Sequence, residues 1–101
     1  IKSDAQAVVD AGVFAMVLEK IPTQLAREIT QMVPIPTIGI ASGPYCNGQI
    51  LVSYDMLGLA DQFKFKFVRR YLEGAQMVRE AVQRYIEDIK RGDFPSAEES
   101  F

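Results

Sequence analysis

Histidine and tryptophan are absent from the 101 residues, and cysteine occurs once, at Cys46. Without histidine the commonest general base and metal ligand is missing, so acid–base chemistry falls to carboxylates, lysines, tyrosines or the thiol. A single cysteine excludes an intrachain disulfide and fits a reducing compartment. No apolar run approaches the ~20 residues of a membrane-spanning helix. The first stretch also lacks the basic-then-apolar order of a signal peptide, so a cytoplasmic location is expected. The net charge of −2 leaves no basic excess to recruit nucleic acid or an anionic membrane. What remains, 49% hydrophobic and 24% charged, is enough for one small domain with a modest core.

The apolar spacing predicts alternating helices and strands. Ser3 reads as an N-cap, with Asp4 in the first turn and Ala5, Val8 and Val9 at helical spacing. Gly12 ends that helix and leads into the run Val13 to Leu18, which reads as a strand buried on both faces. Pro22 marks the next helix start. Leu25, Ile29 and Met32 form its apolar stripe, opposite Arg27 and Glu28. Pro34 and Pro36 stop it, and a second strand begins at Thr37. This order is that of a parallel α/β sheet. Further on, Ile50 to Leu59 reads as a short helix, Asp61 to Phe67 as a connector, and Val68 to Ile89 as a long amphipathic helix ending at Gly92. Lys90 and Arg91 suit the dipole at its end. The last residues, Phe94 to Phe101, read as an extended or mobile tail.

Glu19 closes the first strand, where α/β barrels place reactive groups. The second strand runs into the loop Ser42 to Gln49, whose glycines allow a tight turn or a backbone cradle for an anion. Taken alone, a strand-end carboxylate also fits a surface or capping group, and the loop also fits a plain turn. Cys46 reads as a small buried residue, since no histidine stands by to activate it. Lys64, Lys66, Arg69 and Arg70 form the one basic cluster and read as a solvated helix start. Two strands cannot make a covered parallel sheet. These are about two and a half βα units against the ~250 residues of a (β/α)8 barrel, so the chain is expected to be part of a larger one.

The segments Phe14-Ala15-Met16-Val17-Leu18-Glu19, Ile35-Pro36-Thr37-Ile38-Gly39-Ile40 and Gly43-Pro44-Tyr45-Cys46-Asn47-Gly48-Gln49-Ile50-Leu51-Val52 resemble the ketopantoate hydroxymethyltransferase family. The likeness continues through Asp55-Met56-Leu57-Gly58-Leu59, Lys66-Phe67-Val68-Arg69-Arg70-Tyr71 and Gly92-Asp93-Phe94-Pro95. It implies the C-terminal part of a TIM barrel of the phosphoenolpyruvate mutase and isocitrate lyase superfamily. Residues 1–60 would carry the last two strands with the active-site loop, and residues 61–101 the closing helix and tail. The reaction implied is transfer of a hydroxymethyl group from 5,10-methylenetetrahydrofolate to 3-methyl-2-oxobutanoate, giving ketopantoate for pantothenate and coenzyme A synthesis. Mg2+ is the implied cofactor, with its ligands upstream of this segment and none within it. The implied partners are the 2-oxo acid, the folate and further copies of the chain in a decamer. The resemblance places the proton acceptor at Glu19 and a substrate or folate loop at Ser42, Gly43, Asn47 and Gly48.

The chemistry suits that placement. Removing a proton beside a carbonyl needs a base within hydrogen-bonding reach of the C–H, a task for a carboxylate in a dry barrel mouth. The sequence departs from the family pattern at several positions. The usual Gly-x-Gly-Ala-Gly is here Gly39-Ile40-Ala41-Ser42-Gly43, and Asn47, Tyr54, Phe65 and Glu99 are also unusual. Two other readings stand beside the transferase: a different enzyme of the superfamily acting on a 2-oxo acid enolate, and a non-catalytic fragment that oligomerises through the long helix. In isolation these 101 residues are expected to be inactive.

Overall fold

The computed structural model describes residues 1–101, in two units, Ile1–Val52 and Ser53–Phe101. The first unit contains α1 (Lys2–Asp10), β1 (Met16–Glu19), α2 (Thr23–Met32), β2 (Thr37–Ile40) and β3 (Gly48–Gln49). The strands form one parallel sheet in the order β1-β2-β3, so the class is mixed α/β as expected.

α1 begins two residues earlier than the Ser3 cap implies. The Ile1 carbonyl already accepts the Ala5 N–H at 2.9 Å, which puts Ser3 inside the first turn. Gly12 follows the helix end in the left-handed region (φ +87°), as its place in the sequence suggests. β1 starts at Met16 rather than Val13. Its first ladder bond runs from Met16 N–H to Pro36 O, and before that point the partner chain contains prolines instead of a strand.

The two-faced burial expected of β1 is not observed. Met16 and Leu18 face the core formed with Ala5, Ala26, Ile29 and Val33, whereas Val17 on the opposite face is 55% exposed. Both helices of this unit pack on one side of the sheet, the side of Leu18. Along α2 the innermost residues are Ala26 and Ile29, while Met32 is largely exposed. Stripes drawn from large side chains alone therefore miss the small residue at the closest approach.

β3 has no counterpart in the expected pair of strands. Only Gly48 and Gln49 form it, aligned with Ile38 and Gly39 of β2, and Ile50 N–H extends it to Gly39 O at 3.0 Å. Seven residues bridge β2 and β3. They pass so close over Gly39 that a Cβ there would lie 3.0 Å from Cys46 Sγ and 3.2 Å from Gln49 Oε1. Glycine is what lets the connection be this short.

In the second unit α3 spans only Ser53–Met56; of the residues expected before it in the helix, Ile50 instead bonds to Gly39 O and Leu51 and Val52 are in no regular element. Gly58 (φ +65°) turns the chain, and the segment before α4 returns to that turn. Tyr71, Gly74 and Ala75 donate to Met56, Leu57 and Gly58 carbonyls at 2.8–3.0 Å. These bonds hold residues 68–73 out of the helix, so α4 spans Gly74–Arg91 and not Val68 onward. It ends as expected at Gly92 (φ +76°), with Lys90 and Arg91 in its last turn. Its apolar residues Met77, Val78, Val82, Tyr85, Ile86 and Ile89 are 39–57% exposed. The tail is not extended: Ala97–Glu99 form a 3-10 turn, closed by a reciprocal capping box between Ser96 and Glu99.

Two outcomes follow for this unit. Gly58 and Gly92 both have positive φ, but a Cβ on Gly58 would lie 2.2 Å from Leu72 O, while Gly92 has nothing within 4 Å. In urea titrations Gly92→Ala should cost ~1 kcal/mol and Gly58→Ala at least ~2 kcal/mol more; equal costs would remove the close approach from the account. Arg79 holds the exposed Asp61 carboxyl below its ordinary range, chiefly by hydrogen bonding and then by charge. The interaction is therefore complete above the ordinary Asp range and is lost as pH falls through the lowered value. Arg79→Gln should raise the Asp61 midpoint in a carboxyl NMR titration, and an unmoved midpoint would acquit Arg79.

Candidate active site at the strand tips

In-register pairing sets Glu19 beside Ile40, so β1 and β2 end level with one another. Alternation along the strands puts Glu19 on the face of Val17, Ile38 and Ile40, opposite the helices. The Glu19 side chain is exposed, and none of the chain's ion pairs involves it. A free carboxylate at a strand tip, on a face otherwise lined by aliphatic side chains, is chemically able to accept a proton from a ligand seated there.

Each tip turns sharply. Lys20 (φ +51°) follows Glu19 and Ala41 (φ +55°) follows Ile40, and these are the two non-glycine residues of the chain in the left-handed region. Lys20 N–H donates to Ile40 O at 3.0 Å, carrying the ladder one residue past the strand. Ser42, 1% exposed, sits between the tips. Its Oγ lies 2.7 Å from Leu18 O and 3.1 Å from Ile40 O, and it accepts the Ile21 N–H at 3.1 Å. Its hydroxyl is thus occupied by backbone and faces no open space.

Gly43 (φ +77°) packs against the first residue of α2, where a Cβ would fall 2.5 Å from Thr23 Cγ2. Its carbonyl accepts from Gln49 Nε2 at 2.9 Å. Asn47 and Gly48 lie elsewhere. Asn47 Oδ1 accepts the Thr37 N–H at 2.9 Å, and Thr37 Oγ1 is 2.8 Å from Thr30 Oγ1. Thr37, itself buried, opens β2, so this polar cluster marks the other end of the strand, about 10 Å from its tip at 3.3 Å per residue. Of the residues singled out in the sequence, the structure gathers Glu19, Ser42 and Gly43 at the tips and sets Asn47 and Gly48 apart from them.

Cys46 is half-buried against Gly39 and the core, in keeping with a packing role. Arg70, grouped with the solvated basic residues, is instead largely buried and donates to Ala60 O at 2.7 Å. No three His, Cys, Asp or Glu side chains converge as a metal-binding group, so the residues of this segment do not by themselves fit a Mg2+ site. Lys20 and Ala41 were missed by sequence reasoning. Lysine carries no signal for a left-handed conformation, whereas Ala41 had one: it stands where the resembled motif has a glycine.

The sequence model described as ketopantoate hydroxymethyltransferase matches residues 1–97. Among curated relatives, the 3-methyl-2-oxobutanoate hydroxymethyltransferase of Caldicellulosiruptor bescii is 53% identical over 98 residues, covering 97% of this chain and 37% of the relative. The enzyme of the same name from Trichlorobacter lovleyi is 52% identical over 101 residues, covering 100% and 38%. That of Helicobacter pylori is 53% identical over 98 residues, covering 97% and 36%. The chain spans a little over a third of the length of these relatives. With a parallel α/β sheet and a carboxylate at its strand tip, it belongs to the ketopantoate hydroxymethyltransferase family.

Proposed function

We propose that this segment supplies the general base of a complete ketopantoate hydroxymethyltransferase, which moves a one-carbon unit from 5,10-methylenetetrahydrofolate to 3-methyl-2-oxobutanoate. β1 and β2 are then the last two strands of a (β/α)8 barrel. Residues 1–60 hold the active-site rim, and residues 61–101 form the closing helix and tail. The observation that carries this reading is the position of Glu19, an exposed and unpaired carboxylate at the C-terminal end of a parallel strand. Family members named for this reaction share about half of their residues with the chain. They favour it over another superfamily enzyme acting on an enolate.

The chemistry assigned to this segment is one proton transfer. The Glu19 carboxylate takes the C3 proton of the keto acid, and the C–H electron pair moves into the C2–C3 bond as the carbonyl oxygen becomes an enolate. C3 then bonds to the donor's methylene carbon. The displaced C–N electron pairs return to the two folate nitrogens, which take up the proton held by Glu19 and one proton of water, while the hydroxyl left from that water bonds to the methylene carbon. Val17, Ile38 and Ile40 share the face of Glu19 and would keep water from the base once the remaining barrel wall encloses them. Ligands for Mg2+ would come from residues upstream of residue 1.

Gly43 belongs to the same rim and is the loop residue best placed to approach the keto acid or folate. Asn47 and Gly48 would reach a ligand only from the opposite end of the strands. The exposed apolar residues of α4 suit a homo-oligomer, with a decamer as the expected assembly and the cytoplasm as its location.

The test is the exchange of the C3 proton of 3-methyl-2-oxobutanoate into D2O, followed by NMR on the full-length protein without folate. Glu19→Gln should slow exchange by at least ~10²-fold while keto-acid binding persists. Undiminished exchange would end the assignment.

A further inference from the structure

We propose that Ser42 is a positioning residue that sets the geometry of the proposed base Glu19 by bracing the two strand tips against each other. The inference rests on the reading of Glu19 as the base and adds a second residue to that site. One hydroxyl touches both turns. Leu18 O and Ile21 N–H bracket Glu19 and Lys20 on one strand, while Ile40 O and Ser42 itself bracket Ala41 on the other. Lys20 and Ala41 each have a Cβ in a region that crowds it, and such conformations persist only where surrounding contacts over-determine them. Ser42 Oγ is the side-chain group that bonds across both turns, and at 1% exposure no water competes with it.

The consequence for Glu19 is geometric. Its Cα is held by the ladder to Ile40 on one side, and the backbone just before and just after it is tied to Ser42. A base that must meet a C–H within hydrogen-bond reach loses rate steeply when displaced, on the order of 10²-fold for about 1 Å. Ser42 itself touches neither the exposed face nor any ligand seated on it. Its influence runs through the backbone of residues 18–21.

Three variants of the full-length protein separate this role from a purely structural one: Ser42→Ala, the double variant Ala41→Gly/Ser42→Ala, and Glu19→Gln. For each, C3-proton exchange of 3-methyl-2-oxobutanoate and the Kd of the keto acid are measured without folate. Ser42→Ala should lower the exchange turnover by roughly 10-fold or more with Kd unchanged. Adding Ala41→Gly should restore part of the loss, because glycine holds the positive φ of that tip without a brace while the tie to residues 18–21 stays broken. The double variant keeps the test informative should Ser42→Ala alone fold poorly: it must then be folded and active.

Wild-type exchange in Ser42→Ala, with Glu19→Gln inactive, would overturn the Ser42 proposal and leave the base assignment standing. Exchange and binding capacity that fall together, with no rescue by glycine, would overturn it in favour of a merely structural hydroxyl. Undiminished exchange in Glu19→Gln would remove both assignments at once.

Discussion

A buried serine hydroxyl between two parallel strand tips is the contact on which the arrangement at this end of the sheet depends. Parallel strands deliver their C-terminal ends side by side, but each chain must then turn away at once toward a helix or a crossover. Here both turns pass through left-handed residues that are not glycine, Lys20 and Ala41. Such turns cost on the order of 1–2 kcal/mol each for residues with a Cβ. Against this, the Ser42 hydroxyl has one hydrogen to donate, with Leu18 O at 2.7 Å and Ile40 O at 3.1 Å, and it accepts one from Ile21 N–H, each full bond contributing about 1 kcal/mol. The hydroxyl ties the residues on either side of both turns, and Glu19 stands exposed beside the first of them.

The two ends of β2 are built differently, and that difference divides the loop's roles. At the tip, polar backbone is tied by Ser42 and a carboxylate is left open. At the start, Thr30, Thr37 and Asn47 are hydrogen-bonded to one another around the buried Thr37, which ties the crossover to the first residue of β2. Gly39 lies between, bare of a side chain so that the crossover can pass over it. A stretch that looks like one glycine-rich loop is therefore two structures: a rim turn through Gly43, and a return segment whose Asn47 anchors a third strand.

What could be read from the sequence was whatever a single residue or a regular spacing encodes. The prolines before Thr37 locate β2, Gly92 locates the end of α4, and the apolar run ending in a charge locates Glu19. Features set by distant partners were not legible. β3 is two residues long and exists because the crossover places them against β2. The helical spacing from Val68 is real, yet bonds to the turn at Gly58 pull residues 68–73 out of the helix. The exposed second face of β1 has the same origin, since a strand sequence written for cover on both sides reads alike whether or not this segment supplies the cover. Ser42 reads from the sequence as one residue of a loop, whereas its hydroxyl bonds to Leu18 and Ile21, 24 and 21 residues away, which no local spacing encodes.

The brace can be observed without reference to catalysis, because the Ile21 amide hydrogen has Ser42 Oγ as its partner. Hydrogen–deuterium exchange resolved at that amide, in the full-length protein and in Ser42→Ala, is the most direct measurement. Protection of Ile21 that falls by ~10-fold or more in the variant, while amides of the β1–β2 ladder stay protected, is the expected result. Ile21 exchanging as fast as an unstructured amide in the unsubstituted protein would mean that Ser42 does not hold the strand tips together.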